Sequence, residues 1–217
     1  ITDHDTVDGM CGALESSKEK EIEVIPGVEI SCDDNGFIDT HILGLFIDHK
    51  NKDLTSLLEK AKTYREHQKK AIIKKFQEIG FKISYEEVKE IAKGEISRLH
   101  IAKIILENNP DKVGSFDEIF DKYLGVGKKA FVERENKISI NEVIKTIHSA
   151  KGLAFISHPG IYENFDIEEF IKFFIKCEGD GIETIYDYEQ SRQKLSKEQN
   201  EELNNKFKRI AKKYNLL

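Results

Sequence analysis

From Ser139 to Leu217 the chain alternates between two kinds of segment. Amphipathic stretches over 139–150, 166–177 and 196–215 are separated by short apolar runs at 153–157 (LAFIS) and 181–186 (GIETIY). Strands alternating with helices of about 10–20 residues fold as βαβ units, which predicts a mainly parallel sheet covered by helices. The first fifty residues add to it. Asp5-Thr6 followed by Asp8 reads as a helix N-terminus, opening a helix of about ten residues that ends near Lys18. Residues 23–31 (EVIPGVEIS) are rich in β-branched side chains, and 40–47 (THILGLFI) are almost continuously apolar, as suits strands buried on both faces.

A strand-free stretch divides these halves. Leu54, Leu57, Leu58, Ala61, Tyr64, Ala71, Ile72, Phe76 and Ile79 recur at threes and fours and stop at Gly80, which predicts one long helix with a glycine cap. Ser84-Tyr85-Glu86-Glu87 is a capping box, further helices are predicted over 97–106 and 115–124, and a basic glycine loop, Gly125 to Lys129, closes the stretch. The expected organisation is therefore an α/β body made of 1–50 and 138–217, with an all-helical insertion over 51–137.

Charge follows the same division. Residues 51–137 hold 19 of the 34 Lys+Arg and 15 of the 40 Asp+Glu, a balance of +4, and the remainder carries −10. An acidic body beside a basic insertion suits a metal–carboxylate site next to a phosphate-binding surface, although solvated helix faces give such asymmetry too. Three widely spaced cysteines match neither a disulfide framework nor a metal finger, which points to a reducing cytoplasm. No apolar run approaches the roughly 18 residues of a membrane span, so no membrane partner is expected. With no tryptophan and a net charge of −6, a grip on one or two nucleotides fits better than a long nucleic-acid channel. Oligomeric state is not legible.

In parallel α/β architectures reactive residues collect where strands end. His4, Glu29 and His158 fit that rule, whereas His41 stands at the start of its run and fits only if its strand is reversed or the preceding loop is short. Each has a plain explanation alone: His4 sits in an aspartate-rich cap, and His41 or His158 serves as a satisfied core histidine. Glu29 is harder to dismiss, because an ionised carboxylate in an apolar strand must be paired or bound to a cation. Three imidazoles and a carboxylate on one rim form an N/O site suited to zinc, manganese or iron.

Thr2-Asp3-His4-Asp5-Thr6, Ile25 to Ser31, His41-Ile42-Leu43-Gly44 and Ser157-His158-Pro159-Gly160 resemble, in order and spacing, motifs of the PHP (polymerase and histidinol phosphatase) family. Ser97 to Ala102, Tyr123 to Lys128 and Gly181-Ile182-Glu183 are similar to its branch of 3′,5′-nucleoside bisphosphate phosphatases and 5′-to-3′ exoribonucleases. The resemblance implies a distorted (β/α)7 barrel holding two or three divalent ions, usually manganese, iron or zinc. It implies His4, Glu29, His41 and His158 as ligands, with Glu29 bridging two ions and taking part in catalysis. Arg98 and His100 would face the substrate phosphate, His100 as a catalytic group, with Lys128 as a further phosphate contact. The substrates implied are nucleoside 3′,5′-bisphosphates or short 5′-phosphorylated RNA.

The family's opening His-x-His and closing Gly-Ser-Asp-x-His patterns do not occur in the sequence, and the chain begins at Ile1. It is therefore expected to be a piece of a longer, incomplete barrel that alone binds metal weakly and hydrolyses little. Two other readings stand beside the nucleotide phosphoesterase: a small-molecule phosphatase of histidinol-phosphatase type, and a degenerate, non-catalytic PHP module that binds nucleic acid or a partner protein.

Overall fold

The computed structural model describes residues 1–92, 94, 96–133, 137–162, 165–191 and 193–217. In chain order the elements are α1 (Met10–Lys18), β1 (Gly27–Asp34), β2 (Phe37–Leu45), α2 (Lys52–Glu78), α3 (Tyr85–Ala92), α4 (Arg98–Asn108), α5 (Phe116–Ile119), α6 (Ile140–Ser149), β3 (Leu153–Ile156), α7 (Ile167–Lys176), β4 (Gly181–Ile182) and α8 (Lys197–Tyr214). They form two compact units, one of residues 1–62 with 137–217 and one of residues 63–136.

The first unit is built on a four-stranded sheet of order β1-β2-β3-β4. Only β3 and β4 pair in parallel; β2 is antiparallel to both β1 and β3. The mainly parallel sheet expected from the alternation is thus a mixed one, and the cause is local. Asn35 and Gly36 join β1 to β2 with φ of 48° and 89°, the paired positive φ of a two-residue hairpin turn. A connection that short reverses the chain, whereas a parallel return needs a crossover of about a dozen residues. Outside the named strands, Asp3 to Asp5 pair with β1 through a parallel bridge from His4 to Glu29. Beyond β4, Leu217 donates to the Asp180 carbonyl and accepts from the Ile182 amide.

The two faces of the sheet differ. Val28, Ile30 and Cys32 are fully buried and alternate with Glu29 and Ser31. On α6, Ile140, Val143, Ile144 and Ile147 recur at helical spacing, are all 0% exposed, and cover the apolar face of the sheet. A Cβ on Gly44, opposite Val28, would lie 3.0 Å from Ile147 Cγ1, so glycine is what lets the helix close on the strands. Each isoleucine buried there contributes roughly 1.5–3 kcal/mol. Glu29 and Ser31, with their cross-strand partners Leu43 and His41, occupy the other face.

The start of the chain departs from expectation. α1 begins only at Met10 and has no side-chain cap. Asp5 instead takes φ of 55°, is buried, and accepts the Ser31 amide on Oδ1 at 2.8 Å, which ties the opening segment to β1.

In the second unit α2 ends before Gly80, whose φ is 86°, and Ser84 caps α3 through Glu87 as the capping box predicts. Residues 115–124 form α5 followed by a π-helical turn from Phe120 to Leu124. Phe76, Val88, Ile101, Ile105, Ile119 and Leu124 form its core. Among the described residues no helix is long and apolar enough to cross a membrane.

Candidate metal centre

The hairpin turn decides where His41 goes. Because β2 enters the sheet from the end at which β1 and β3 leave, His41 near its start faces Ser31 and lies beside the Ser157-His158 turn that follows β3. Both conditions attached to His41, a reversed strand and a short loop, are met. Around Glu29 the imidazoles gather: His41 Nδ1 is 3.0 Å and His158 Nε2 2.9 Å from Oε1, and His4 Nε2 is 3.5 Å from Oε2. His41 Nδ1 and His158 Nε2 are 3.0 Å apart. The ligand atoms of His4, Glu29 and His41 all lie within 4.8 Å of one another.

Burial by itself would raise the Glu29 carboxyl. Hydrogen bonds from His158 and His41, with the charges of His41 and His4, outweigh it and hold the group well below the usual carboxylate range. Ser157 Oγ donates to the same Oε1 at 3.1 Å.

These residues fit a divalent cation. Two ligand atoms each about 2.1 Å from one ion lie roughly 3.0–3.4 Å apart, the spacing found here among Glu29 Oε1, His41 Nδ1 and His158 Nε2. Two imidazole nitrogens and a serine hydroxyl converge on one carboxylate oxygen, and the two nitrogens lie 3.0 Å from each other. Glu29 also turns one oxygen toward His41 and His158 and the other toward His4, the disposition a bridging carboxylate needs.

Residues with no ligand role expected from sequence hold the candidate ligands in place. Tyr162, half-buried with its phenol pushed well up by desolvation, accepts the His41 amide on Oη at 3.0 Å. Glu183 accepts the His158 amide on Oε2 at 2.6 Å, and burial raises its carboxyl. The signal for Glu183 was the one that singled out Glu29, a carboxylate in an apolar run. Tyr188 is 0% exposed and accepts the Gly160 amide at 3.0 Å, so its contact is with the turn and not with solvent. Asp187 accepts the amides of Glu189 and Gln190 as a local turn.

Arg98, His100 and Lys128 belong to the second unit. Ser97 caps α4, Arg98 is its first residue, and His100 Nδ1 accepts the Ser97 amide at 3.1 Å to complete a capping box. With Nδ1 so engaged, Nε2 carries the proton of the neutral ring. Burial, with the charge of Lys103, lowers the His100 pKa. Lys128 is exposed in the loop that turns through Gly127 at φ of 73°.

No protein-family model matches the chain. It is 37% identical over 185 residues, 84% of its length, to a 5′-3′ exoribonuclease of Haemophilus influenzae, of which it covers 66%. It is 28% identical over 187 residues, again 84% of its length, to a 3′,5′-nucleoside bisphosphate phosphatase of Chromobacterium violaceum, of which it covers 64%. The chain thus spans slightly under two thirds of these curated relatives. An amidohydrolase from Chromobacterium violaceum, solved with bound sulfate and no metal, matches all of the chain and 72% of its own with a TM-score of 0.85 and 26% identity. In sequence and in fold the chain is related to the PHP-type phosphoesterases.

Proposed function

We propose that the protein containing this chain is a divalent-metal phosphoesterase acting on nucleoside 3′,5′-bisphosphates or short 5′-phosphorylated RNA. The observation that carries the reading is the convergence of three imidazoles on an ionised, mostly buried Glu29 at the distances of shared ligation. His4, Glu29, His41 and His158 would hold the ions, two or three of manganese, iron or zinc, with Glu29 between two of them. When bound, the ions would supply hydroxide at neutral pH by lowering the pKa of water toward about 7, and positive charge for the phosphoryl group. Glu29 stays ionised and orients the imidazoles, while Ser157 fixes its Oε1.

In this reading residues 51–137 are the substrate subdomain. Arg98 offers a bidentate fork to phosphate, the positive end of the α4 dipole adds to it, and His100 Nε2–H donates to the leaving oxygen. Lys128 supplies a further positive charge. The relatives named for nucleotide and RNA substrates support this choice over a small-molecule phosphatase. Parallel pairing at both sheet edges, through Asp3 to Asp5 and through Leu217, suits strands continuing into a closed (β/α)7 barrel. Three free cysteines suit a cytoplasmic location.

The test is release of phosphate from adenosine 3′,5′-bisphosphate by the whole protein with manganese. Glu29→Ala and His158→Ala should each abolish it, and normal turnover by either variant would refute the assignment.

A further inference from the structure

We infer that Glu183 is a positioning residue for the metal centre: it locks His158 in the backbone conformation that aims its imidazole at Glu29. The inference rests on the metal reading of Glu29, His41 and His158 and adds to it a group that touches no ion.

His158 has φ of 30° and ψ of 58°, in the left-handed region that a non-glycine residue adopts only when its surroundings hold it there. The following turn is fastened at three atoms. Glu183 Oε2 accepts the His158 amide at 2.6 Å, Tyr188 Oη accepts the Gly160 amide at 3.0 Å, and Gln193 Nε2 donates to the Gly160 carbonyl at 2.8 Å. Of these only the Glu183 bond acts on the strained residue itself, and it is the shortest.

The ring of His158 cannot supply that orientation. A ligating histidine ordinarily donates its second ring N–H to a carboxylate or carbonyl, which fixes the plane of the imidazole. His158 Nδ1 is buried with no hydrogen-bond partner among the described residues. His41 is held by another route, its amide donating to Tyr162. For His158, direction is therefore imposed through the backbone, and the carboxylate that imposes it comes from the end of β4.

A carboxylate is not required for this task, since any acceptor at that point holds the amide. Glu183→Gln keeps an acceptor oxygen and Glu183→Ala removes it. Two measurements on the whole protein separate the outcomes: Mn²⁺ titration, followed by loss of the free-ion EPR signal, and amide hydrogen exchange of His158 without metal. We expect Glu183→Ala to weaken Mn²⁺ binding about tenfold or more and to speed exchange at His158, with Glu183→Gln within about threefold of wild type in both. Wild-type affinity and protection in Glu183→Ala would overturn the inference while leaving the metal reading standing. Equal losses in the Gln and Ala variants would overturn it too, by assigning the effect to charge. Failure of the wild-type whole protein to bind Mn²⁺ would refute the metal reading and this inference with it.

Discussion

Gly160→Ala tests whether the turn after His158 is as tightly seated as its contacts imply. A Cβ built on Gly160 lies 2.6 Å from Tyr188 Cζ and 2.7 Å from both Tyr188 Cε1 and Leu203 Cδ2. Carbon atoms in contact prefer about 3.5–4.0 Å, so the methyl is about 1 Å too close to two side chains. Leu203 is half-buried and has room to rotate. Tyr188 does not: it is 0% exposed, its ring packs on Tyr186 at 4.8 Å, and its hydroxyl holds the Gly160 amide. Overpacking against an immobile ring costs about 1–3 kcal/mol. At about 2–4 °C per kcal/mol for a chain of this size, a mid-range cost of about 2 kcal/mol lowers Tm by about 4–8 °C in calorimetry. Adding Leu203→Ala should recover less than half of the loss, since the tyrosine contacts remain. A Tm within about 1 °C of wild type would show that Tyr188 yields, and the account of a rigid seat under His158 would fall.

Four other substitutions probe separate links. Tyr188→Phe removes the acceptor of the Gly160 amide and should lower stability by about 1–2 kcal/mol in urea unfolding, although the ring still packs. Gly36→Ala meets no neighbour within 4 Å, so its expected loss of about 1 kcal/mol, read from the urea midpoint, comes from the φ of 89° alone. Asn204→Ala breaks two hydrogen bonds to the backbone of Tyr186 and should speed amide exchange at Tyr186 before it changes global unfolding. For His100, burial holds the ring neutral to lower pH than in the unfolded chain, so its contribution is complete above the ordinary value of 6.5 and is lost as pH falls through the lowered folded value. An NMR titration should place its midpoint below 6.5, and His100→Gln, which keeps the capping box, should remove that acid sensitivity from the unfolding curve.

The elements with strong periodicity were legible from sequence. Gly80, the Ser84 box and the Ser97 cap mark their helices because capping is a local interaction between residues three or four apart. The orientation of β2 was missed although Asn35-Gly36 signals it, because two flanking runs of β-branched residues were read by helix-and-strand alternation and not by turn chemistry. Asp5 reads as a helix cap for a similar reason. An aspartate before a helix looks the same whether it caps that helix or, as here, accepts the amide of Ser31 from 26 positions away.

The site shows the same limit. That His4, Glu29, His41 and His158 come together was legible because they recur at strand ends, where polar chemistry gathers in α/β sheets. The groups that aim them were not. Tyr162 reaches His41 across 121 positions, Glu183 reaches His158 across 25, and Tyr188 reaches Gly160 across 28. Glu183 stands out as a carboxylate in an apolar run, but no spacing rule ties it to His158, nor either tyrosine to its partner.

Behind His158 the order of support runs away from the ligands. Asn204 of α8 bonds both the amide and the carbonyl of Tyr186, and Asn200, one turn earlier, accepts the amide of Tyr188. Residues four apart on a helix share a face, so two amides on α8 fix the segment that carries both tyrosines. Tyr188 then fixes Gly160, and Glu183, five residues earlier on the same segment, fixes His158. A left-handed histidine persists only where the surroundings over-determine it, and here these surroundings are anchored to α8. Changes on α8 that touch none of the four candidate ligands should therefore reach the candidate metal centre through this segment, whereas changes on α6, which covers the opposite face of the sheet, should alter stability and leave the aim of His158 intact.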